Sequence, residues 1–473
     1  MREIIIIIII FFEANFDISA KIWNVGQSRE YKYCNEISNL VSDGDTIYID
    51  SEVYLNVPQV TWTKNNLYIS GINGVPVLTA GALIENDFSN GKGIFVVKGN
   101  NTKIEKLQFE NTKVPDRNGA GIRQEGSNLY VSHCTFKNNE MGLLQGGTIP
   151  NCTIKIEYCK FYSNGSSDNP GYQHNIYINH IDSLIFQFNY TYDAVAQGHE
   201  LKSRADNNFI LYNKIANYTS EDSRNIDLPN GGTAIIMGNI IIQGTNSVNT
   251  NIIGYGLEGS INKPPHNLWI CNNTIINNKN KGSFVNVKDT DTLFMYNNIC
   301  AGPKTGGFII GNYANLDTNF NLINDDIKAF DFVSTESYDY HLTNASMAIN
   351  SGNAINKIIK GYLLTPTYEY VEETSKKIRK RDNNIDIGAY EYEATGITND
   401  KVKEKCYVSP NFVYEKLYLN NLSAYNQNFE IYNYLGIRVL FGIIDNEIDV
   451  STLSTGIYYL IIENEQTLKF VKV

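Results

Sequence analysis

Three short segments of the chain carry charged and aromatic residues at a constant spacing of 25 residues, at 174–178, 199–203 and 224–228. The fourth residue of each segment forms one set: Tyr177, Lys202 and Asp227. A tyrosine, a lysine and a carboxylate held side by side can move protons and bind a charged substrate. If successive units stack as adjacent strands, these side chains form an exposed row at the ~4.8 Å spacing of strands.

Strand alternation divides the other residues of these segments between two sides. The third residue of each segment is Ile or Leu and is expected to point inward. Its two neighbours then point outward, which adds a second outward set: Asn175, Glu200 and Asn225. The first residue of each segment has inward parity: His174, His199 and Arg224. Arg204 shares the outward side of Lys202.

These residue types suit β-elimination in a polymer of uronic acid units. The reaction removes a proton next to a carboxylate, so it needs a base and cations that stabilise the developing charge. Lys202 is the candidate base, and Arg204 or Arg224 is the candidate partner of the substrate carboxylate. Tyr177 is placed to return a proton to the leaving oxygen. His199 is a further catalytic candidate, although a stacked, half-buried histidine is more often structural.

Two insertions, at residues 163–171 and 254–259, flank this row in the sequence. Long loops on a rigid repeat scaffold commonly carry function, so these loops are expected to form the walls of a cleft. The residues expected to bind the polymer are Arg204, Glu200, Asn175, Asn225, Asp227, His174 and Glu258.

The scaffold follows from an eight-residue pattern that occurs eight times between Thr102 and Cys300, about every 25 residues. Its inward residues fall at the first, third, sixth and eighth positions, for example Leu129, Val131, Cys134 and Phe136. Alternation indicates strands, and the skipped position indicates a tight bend between two of them. A period of this length is typical of a solenoid, so the sequence predicts an all-β chain built mainly as a parallel β-helix.

The bend position is asparagine in five consecutive repeats: Asn189, Asn213, Asn239, Asn273 and Asn298. Asparagine tolerates left-handed backbone and can bond its neighbours, so we expect a stacked ladder of these residues at the bend. Cys134 and Cys159 share the position and are expected to be stacked core residues. The seven cysteines are odd in number and scattered, which argues against a disulfide scaffold or metal site.

Composition limits the classes of function. The net charge of −11 disfavours a dominant role in nucleic-acid binding, which requires a basic face. Residues 1–20 combine Arg2, an apolar run from Ile4 to Phe12 and a polar end, which is typical of a secretory signal peptide. The apolar run is too short to span a bilayer. The mature chain is therefore expected to be exported and to lack a transmembrane segment. It is also expected to be a monomer.

Several segments resemble known β-helix proteins. Residues 41–49 and 66–71 resemble the opening strands of a pectate-lyase-like β-helix, and residues 339–342 and 386–392 resemble the closing segment of secreted bacterial members. Residues 198–205, 227–232 and 238–244 are similar to a widespread group of secreted bacterial right-handed β-helix proteins. The resemblance implies a right-handed parallel β-helix over residues 21–395, with a C-terminal cap that begins near residue 304.

The pair Lys202-Ser203, followed about one coil later by Arg224, is similar to the alginate lyase and chondroitinase B type of polysaccharide lyase. That resemblance implies a lyase and suggests Ca²⁺ as a cofactor. The acidic calcium motif of that group precedes the lysine, and here residues 195–197 are Val, Ala and Gln. No metal ligand is therefore assigned.

The end of the chain differs in pattern. Residues 396–405 have the composition of a linker, and short alternating strands with turn signals over 406–473 predict a small β-sandwich. Residues 431–436, 448–453 and 456–460 resemble the type A sorting domain of the type IX secretion system in Bacteroidetes, although residues 407–410 depart from its opening motif. This resemblance implies the secretion machinery as a partner and export to the cell surface or medium, with removal of the domain.

Two other functions remain open on sequence alone. A glycoside hydrolase of the polygalacturonase type would need a cluster of carboxylates, which Asp227, Glu200 and Glu258 can supply. A non-catalytic glycan-binding or adhesive surface protein would use the same scaffold, since a fold does not decide function. A lyase creates unsaturated uronate ends, a hydrolase creates reducing ends without unsaturation, and an adhesin leaves the polymer unchanged.

Overall fold

The computed structural model describes residues 20–81, 91–380, 384–393, 407–408, 412–420, 428–433, 438–444, 447–462 and 467–472. The chain divides into two compact units, Met1–Glu393 and Ala394–Val473. The predicted linker, and all but the last residue of the predicted signal peptide, lie outside the described residues.

The first unit is a parallel β-helix of three faces, which confirms the predicted fold class. Face A consists of Ile22–Val25, Thr46–Asp50, Tyr68–Ile72, Thr102–Glu105, Leu129–Ser132, Ile149–Glu157, Ile181–Gln187, Asn207–Leu211, Thr233–Met237 and Asn267–Cys271. Face B consists of Val60–Trp62, Gly93–Val97, Ala120–Gln124, Met141–Gln145, Ile176–Ile178, Leu201–Ser203, Ile226–Leu228 and Asn251–Tyr255. Both faces continue into the long strands Ser283–Tyr296 and Ile309–Asn319.

Face C closes each coil with a short strand: Val53–Tyr54, Val77–Thr79, Gln108–Glu110, Thr135–Lys137, Lys160–Tyr162, Tyr190–Tyr192, Lys214–Ala216, Ile240–Gln243, Thr274–Asn277, Ile299–Ala301 and Leu322–Asn324. The inward residues of the predicted pattern fill the space between the faces. Phe136, for example, is fully buried and stacks on Phe109 and Phe161 at ring-centroid distances of 5.2 and 4.5 Å. Each coil thus buries its apolar side chains against the coils next to it.

The bend between faces A and C carries the predicted asparagine ladder. Asn213 Oδ1 accepts hydrogen bonds from the backbone N–H and the Nδ2 of Asn189, at 2.8 and 3.1 Å. Asn213 in turn donates from N and Nδ2 to Asn239 Oδ1, at 2.8 and 2.9 Å. Cys159 donates its N–H to Asn189 Oδ1 at 2.9 Å, so the stacked cysteines continue the same ladder.

The asparagine was expected to be the left-handed residue of the bend. In the structure, the residue before the asparagine is left-handed instead. Tyr212 has a φ of 54° and Asn272 a φ of 50°, and Gly238 has a φ of 69°. The left-handed residue reverses the backbone, and the next side chain can then point into the bend and bond the neighbouring coils. The six described cysteines are free and buried, and Cys134 and Cys159 are stacked core residues, as predicted.

The segment after the last coil contains three hairpins, formed by Phe332–Ser334 with Asp339–Leu342, Ile358–Ile359 with Tyr362–Leu363, and Tyr368–Val371 with Ser375–Ile378. Their side chains pack on the outer sides of faces A and C. On these sides the coils present large apolar residues, such as Trp269 and Ile240, which need cover. The closing segment therefore lies along the flank of the solenoid, and the last-coil strand Ile309–Asn319 stays largely exposed.

The second unit has the two sheets of the predicted sandwich. One sheet pairs Tyr407–Val408, Lys416–Asn420 and Glu447–Asp449, and the other contains Phe412–Val413, Leu468–Lys472, Gly456–Ile462, Asn428–Asn433 and Arg438–Ile443. Leu417, Ile431, Leu460 and Phe470 are fully buried in its core.

The described helices are two short 3₁₀ turns, Cys34–Glu36 and Ile327–Phe330. Neither is long or apolar enough to cross a membrane.

Candidate active site

The predicted row forms on three adjacent strands of face B. Tyr177 pairs with Lys202, and Lys202 pairs with Asp227, in the register that the 25-residue spacing predicts. The expectation that the row is exposed is wrong for two of its members, because Lys202 is 9 % exposed and Asp227 is 1 % exposed. Glu258, Arg224 and His199 contact Lys202 or Asp227 and account for this burial.

Lys202 lies between two carboxylates. Its Nζ is 2.7 Å from Glu258 Oε1 and 3.2 Å from Asp227 Oδ2. The Asp227 oxygen is within ion-pair distance, but it is buried and accepts no hydrogen bond from the described residues. Glu258 belongs to the predicted wall at 254–259, so this loop does reach the row.

Arg204 links Glu258, in the loop at 254–259, to Tyr177. Its Nη2 is 2.6 Å from Glu258 Oε2, and its Nη1 donates to Asn230 Oδ1 at 2.7 Å. Its Nε donates to the phenolic oxygen of Tyr177 at 3.0 Å. The tyrosine oxygen thus accepts from a cation and keeps its own proton free to donate.

Arg224, His174 and His199 were predicted to point inward, and all three lie on the outer side beside the row. Arg224 Nη1 is 3.3 Å from Asp227 Oδ1, and His199 Nε2 is 3.6 Å from Asp227 Oδ2. The His174 ring stacks on Tyr177, with centroids 5.6 Å apart. The strands begin only at the third residue of each segment, so alternation does not extend back into the corner that precedes them.

The two histidines form a stack in which each Nδ1 accepts a backbone hydrogen bond. His199 N donates to His174 Nδ1 at 3.0 Å, and Arg224 N donates to His199 Nδ1 at 3.1 Å. Burial lowers the pKa of His199 to about 3, and the charges of Lys202 and Arg224 add to this effect. His199 is therefore neutral near pH 7 with its proton on Nε2, where it is a donor and not a base.

Asn175, Glu200 and Asn225, which were predicted to bind the polymer, point into the solenoid and are fully buried. Asn175 Nδ2 donates to Glu200 Oε2 at 2.5 Å, and Asn225 Nδ2 donates to the Ile242 carbonyl at 2.9 Å. These residues occupy the corner between faces C and B, where their side chains satisfy interior backbone groups. They cannot contact a ligand on the outer surface.

The two carboxylates at the row are both engaged by cations. Burial raises the pKa of Glu258, but hydrogen bonds from Lys202 and Arg204 outweigh it and lower the pKa to about 2. Among the described residues, no group of three or more His, Cys, Asp or Glu is arranged to hold a metal ion. Because Lys202, Arg204 and Arg224 already surround both carboxylates, this donor set does not fit Ca²⁺.

Two residues of the site escaped the sequence analysis. Asn251 accepts from Arg224 Nε and stands one coil after it, at a spacing of 27 residues that breaks the 25-residue pattern. Asn230 accepts from Arg204 and belongs to the turn Pro229 to Gly232. Ile226 pairs with Ile253, which sets an offset of 27 residues between these two coils. Aligning these two isoleucines in the sequence would have placed Asn251 beside Arg224.

Comparison with known proteins identifies the C-terminal unit. Residues 407–473 match the family model described as a secretion system C-terminal sorting domain. The unit is a type IX secretion sorting domain. This sorting domain directs the protein to the cell surface or the extracellular space, as the sequence predicted.

The remainder of the chain is similar to solved structures in fold alone. Pectate lyase Pel9A has a TM-score of 0.46 and 16 % identity, covering 80 % of this chain and 98 % of that one. Pectin methylesterase PemA from Erwinia chrysanthemi has a TM-score of 0.29 and 11 % identity, covering 69 % of this chain and 93 % of that one. No curated protein sequence matches the chain.

Proposed function

We propose that the protein, which its sorting domain sends out of the cell, is a polysaccharide lyase that cleaves a uronic-acid-containing polymer by β-elimination. The observation that supports this most is that three cations meet at the outward row of face B: Lys202 lies in the row, Arg204 contacts Tyr177, and Arg224 contacts Asp227. Cations are needed to bind the uronate and to stabilise the charge that develops when the neighbouring proton is removed.

In this proposal the substrate carboxylate binds Arg204 and Arg224 and displaces Glu258. Lys202 is thereby released from Glu258, and its amine can approach the carbon next to the bound carboxylate. The amine takes the proton from the carbon next to the carboxylate. The electron pair of that C–H bond forms a carbon–carbon double bond as the bond to the leaving oxygen breaks.

Tyr177 completes the reaction by donating its phenolic proton to the leaving oxygen. Arg204 Nε, 3.0 Å from the phenolic oxygen, stabilises the phenolate that remains. Asp227 positions Lys202 and Arg224, which it contacts with different oxygens. Proton exchange with water returns Lys202 and Tyr177 to their starting states.

The geometry gives less support to a hydrolase. A glycosidase needs one carboxylic acid with a raised pKa and a second carboxylate facing the same bond. Glu258 has a lowered pKa, and Asp227 is paired with two cations. Burial and the nearby Asp222 do raise the pKa of Glu200 well above its usual value, but this side chain lies inside the solenoid.

Product analysis tests the proposal. The protein is incubated with pectate, alginate, chondroitin and heparan, and the oligosaccharides are measured by mass spectrometry. A lyase yields fragments that are one water lighter than hydrolysis products. Fragments that have gained water would replace the proposal with a hydrolase, and bound but uncleaved polymer would replace it with an adhesin.

A further inference from the structure

The outward row of the site extends beyond the residues that carry the chemistry. Leu144 pairs with Tyr177 on the preceding strand of face B, and Arg123 pairs with Leu144 on the strand before that. Arg123 therefore stands in the same column as Lys202, three strands away. At the usual strand spacing this separation is roughly 14 Å, too far for Arg123 to touch the reacting atoms.

The guanidinium group of Arg123 is held in a defined place. It lies against Gly146, where an added Cβ would be 2.3 Å from both Nε and Nη2 of Arg123. Its side chain is 13 % exposed, and Nε is 3.5 Å from Glu125 Oε1 in a geometry that makes no hydrogen bond. A buried donor without a partner among the described residues is costly, so this position is suited to an anionic ligand.

Aromatic and apolar groups surround this arginine. Met141 and Leu144 form an outer apolar cluster that is separate from the interior core, and Tyr177 packs against it. Tyr172 borders the same depression and is 74 % exposed. An exposed aromatic ring beside a fixed cation can bind a sugar that is apolar on one face and charged at one substituent.

Two carboxylates lie near the opposite end of the column. After Asp227 the column continues through Gly254 and Asn286. The depression near that end is lined by Asp289 and Asp291. A polyanion is repelled there and attracted at the Arg123 end, which gives a bound chain one favoured direction.

We infer that Arg123 and Tyr172 form a binding subsite for a second acidic sugar of the substrate, and that the polymer lies along the column from Lys202 to Arg123. The inference rests on the proposed function for the nature of the polymer. Arg123 is a binding residue here, so its loss acts mainly on KM and on long substrates.

The test measures binding separately from turnover. In the Lys202→Ala background, the dissociation constants of uronate polymers and their short oligomers are measured by calorimetry, with and without Arg123→Gln. We expect affinity for the polymer to fall about tenfold, the effect of losing one charge-assisted hydrogen bond, and affinity for the shortest oligomers to change little. Lys103→Gln, which removes the same charge on face A, is the control.

A second variant keeps the subsite testable if Arg123→Gln does not fold. Tyr172→Ala alters an exposed side chain and should weaken polymer binding several-fold with an unchanged thermal midpoint. Equal affinity in the parent, Arg123→Gln and Tyr172→Ala proteins would overturn the subsite. Failure of the Lys202→Ala parent to bind any uronate polymer would overturn both the subsite and the proposed function. Polymer binding that depends on Arg123, combined with no cleavage by the wild-type protein, would support the subsite and overturn the lyase.

Discussion

Glu258 occupies the position in the site where the substrate carboxylate is proposed to bind. Its carboxylate holds Lys202 and Arg204 at 2.7 and 2.6 Å, in the place where the proposal puts the carboxylate of the substrate. The substrate must therefore compete with a carboxylate of the protein itself.

Glu258→Gln should lower KM for the polymer by about fivefold, the change that corresponds to one partly exposed ion pair of ~1 kcal/mol. The amide removes the competing charge and leaves both cations in place. Steady-state kinetics on the cleaved polymer measure the effect, with Glu373→Gln as a control, since Glu373 pairs with Lys160 on face C. A raised KM would mean that Glu258 binds the substrate instead of competing with it.

The sequence predicted part of this site and missed part of it for identifiable reasons. Tyr177, Lys202 and Asp227 could be aligned because their strands are separated by equal numbers of residues. The predicted sides of Arg224 and Glu200 were wrong because the first two residues of each segment lie in a corner and not in a strand. The contact of Glu258 with Lys202 depends on how a loop folds back, which periodicity does not encode.

Among the structural elements, the asparagine ladder is expected to contribute most to the stability of the fold. Asn213 is fully buried, accepts two hydrogen bonds from Asn189, donates to Asn239 and donates to the Phe186 carbonyl. The ladder position could be predicted from sequence, whereas the left-handed residue before it could not, because that position holds Lys, His, Tyr, Phe, Gly or Asn.

Asn213→Ala should lower the free energy of unfolding by about 4 kcal/mol, because it leaves several buried donors and acceptors without partners. Urea unfolding followed by circular dichroism measures the change. Asn280→Ala, in an exposed loop, is the control and should change stability by less than about 0.5 kcal/mol. A similar small effect for both variants would show that the ladder does not stabilise the coils.

The corner between faces C and B makes stability depend on pH. Burial raises the pKa of Asp222 well above its usual value, and burial together with Asp222 raises the pKa of Glu200. A carboxyl group with a raised pKa in the folded chain binds more protons there than in the unfolded chain. Its contribution to stability is therefore complete at low pH and is lost as the pH rises above the unfolded value of about 4.

Asp222→Asn removes one of these charges and its repulsion of Glu200. Relative to wild type, the variant should gain stability at pH 8 compared with pH 4, because the raised pKa of Asp222 makes its ionisation unfavourable in the folded chain. Unfolding midpoints of both proteins at the two pH values give this difference. The titration of all other groups affects both proteins equally and therefore cancels when the two are compared. A relative gain at pH 4 would mean that Asp222 is ionised and stabilising in the folded protein.

At the scale of the whole molecule, the closing segment covers the outer sides of faces A and C, while face B carries the row. The repeat predicted the solenoid, because a period near 25 residues admits few other architectures. It did not predict that residues 325–380 and 384–393 lie along the flank, since that placement depends on apolar side chains that point outward from the coils.

Treatment with a chelator tests whether the proposed lyase depends on calcium. Arg204 and Arg224 supply the positive charge that a bound cation would otherwise supply, so cleavage should be unchanged within about twofold after treatment with EDTA. The rate before and after chelation, and after added Ca²⁺, measures this. Loss of cleavage that Ca²⁺ restores would show that the carboxylates rearrange to bind a metal.

The most direct test of the central claim is ultraviolet absorbance during incubation of wild-type and Lys202→Ala proteins with pectate, alginate, chondroitin and heparan. We expect rising absorbance from new carbon–carbon double bonds with at least one polymer. We also expect a rate at least about 100-fold lower for Lys202→Ala, the size of a general-base contribution, with unchanged circular dichroism. A flat trace for the wild-type protein on every polymer, or full activity of Lys202→Ala, would contradict it.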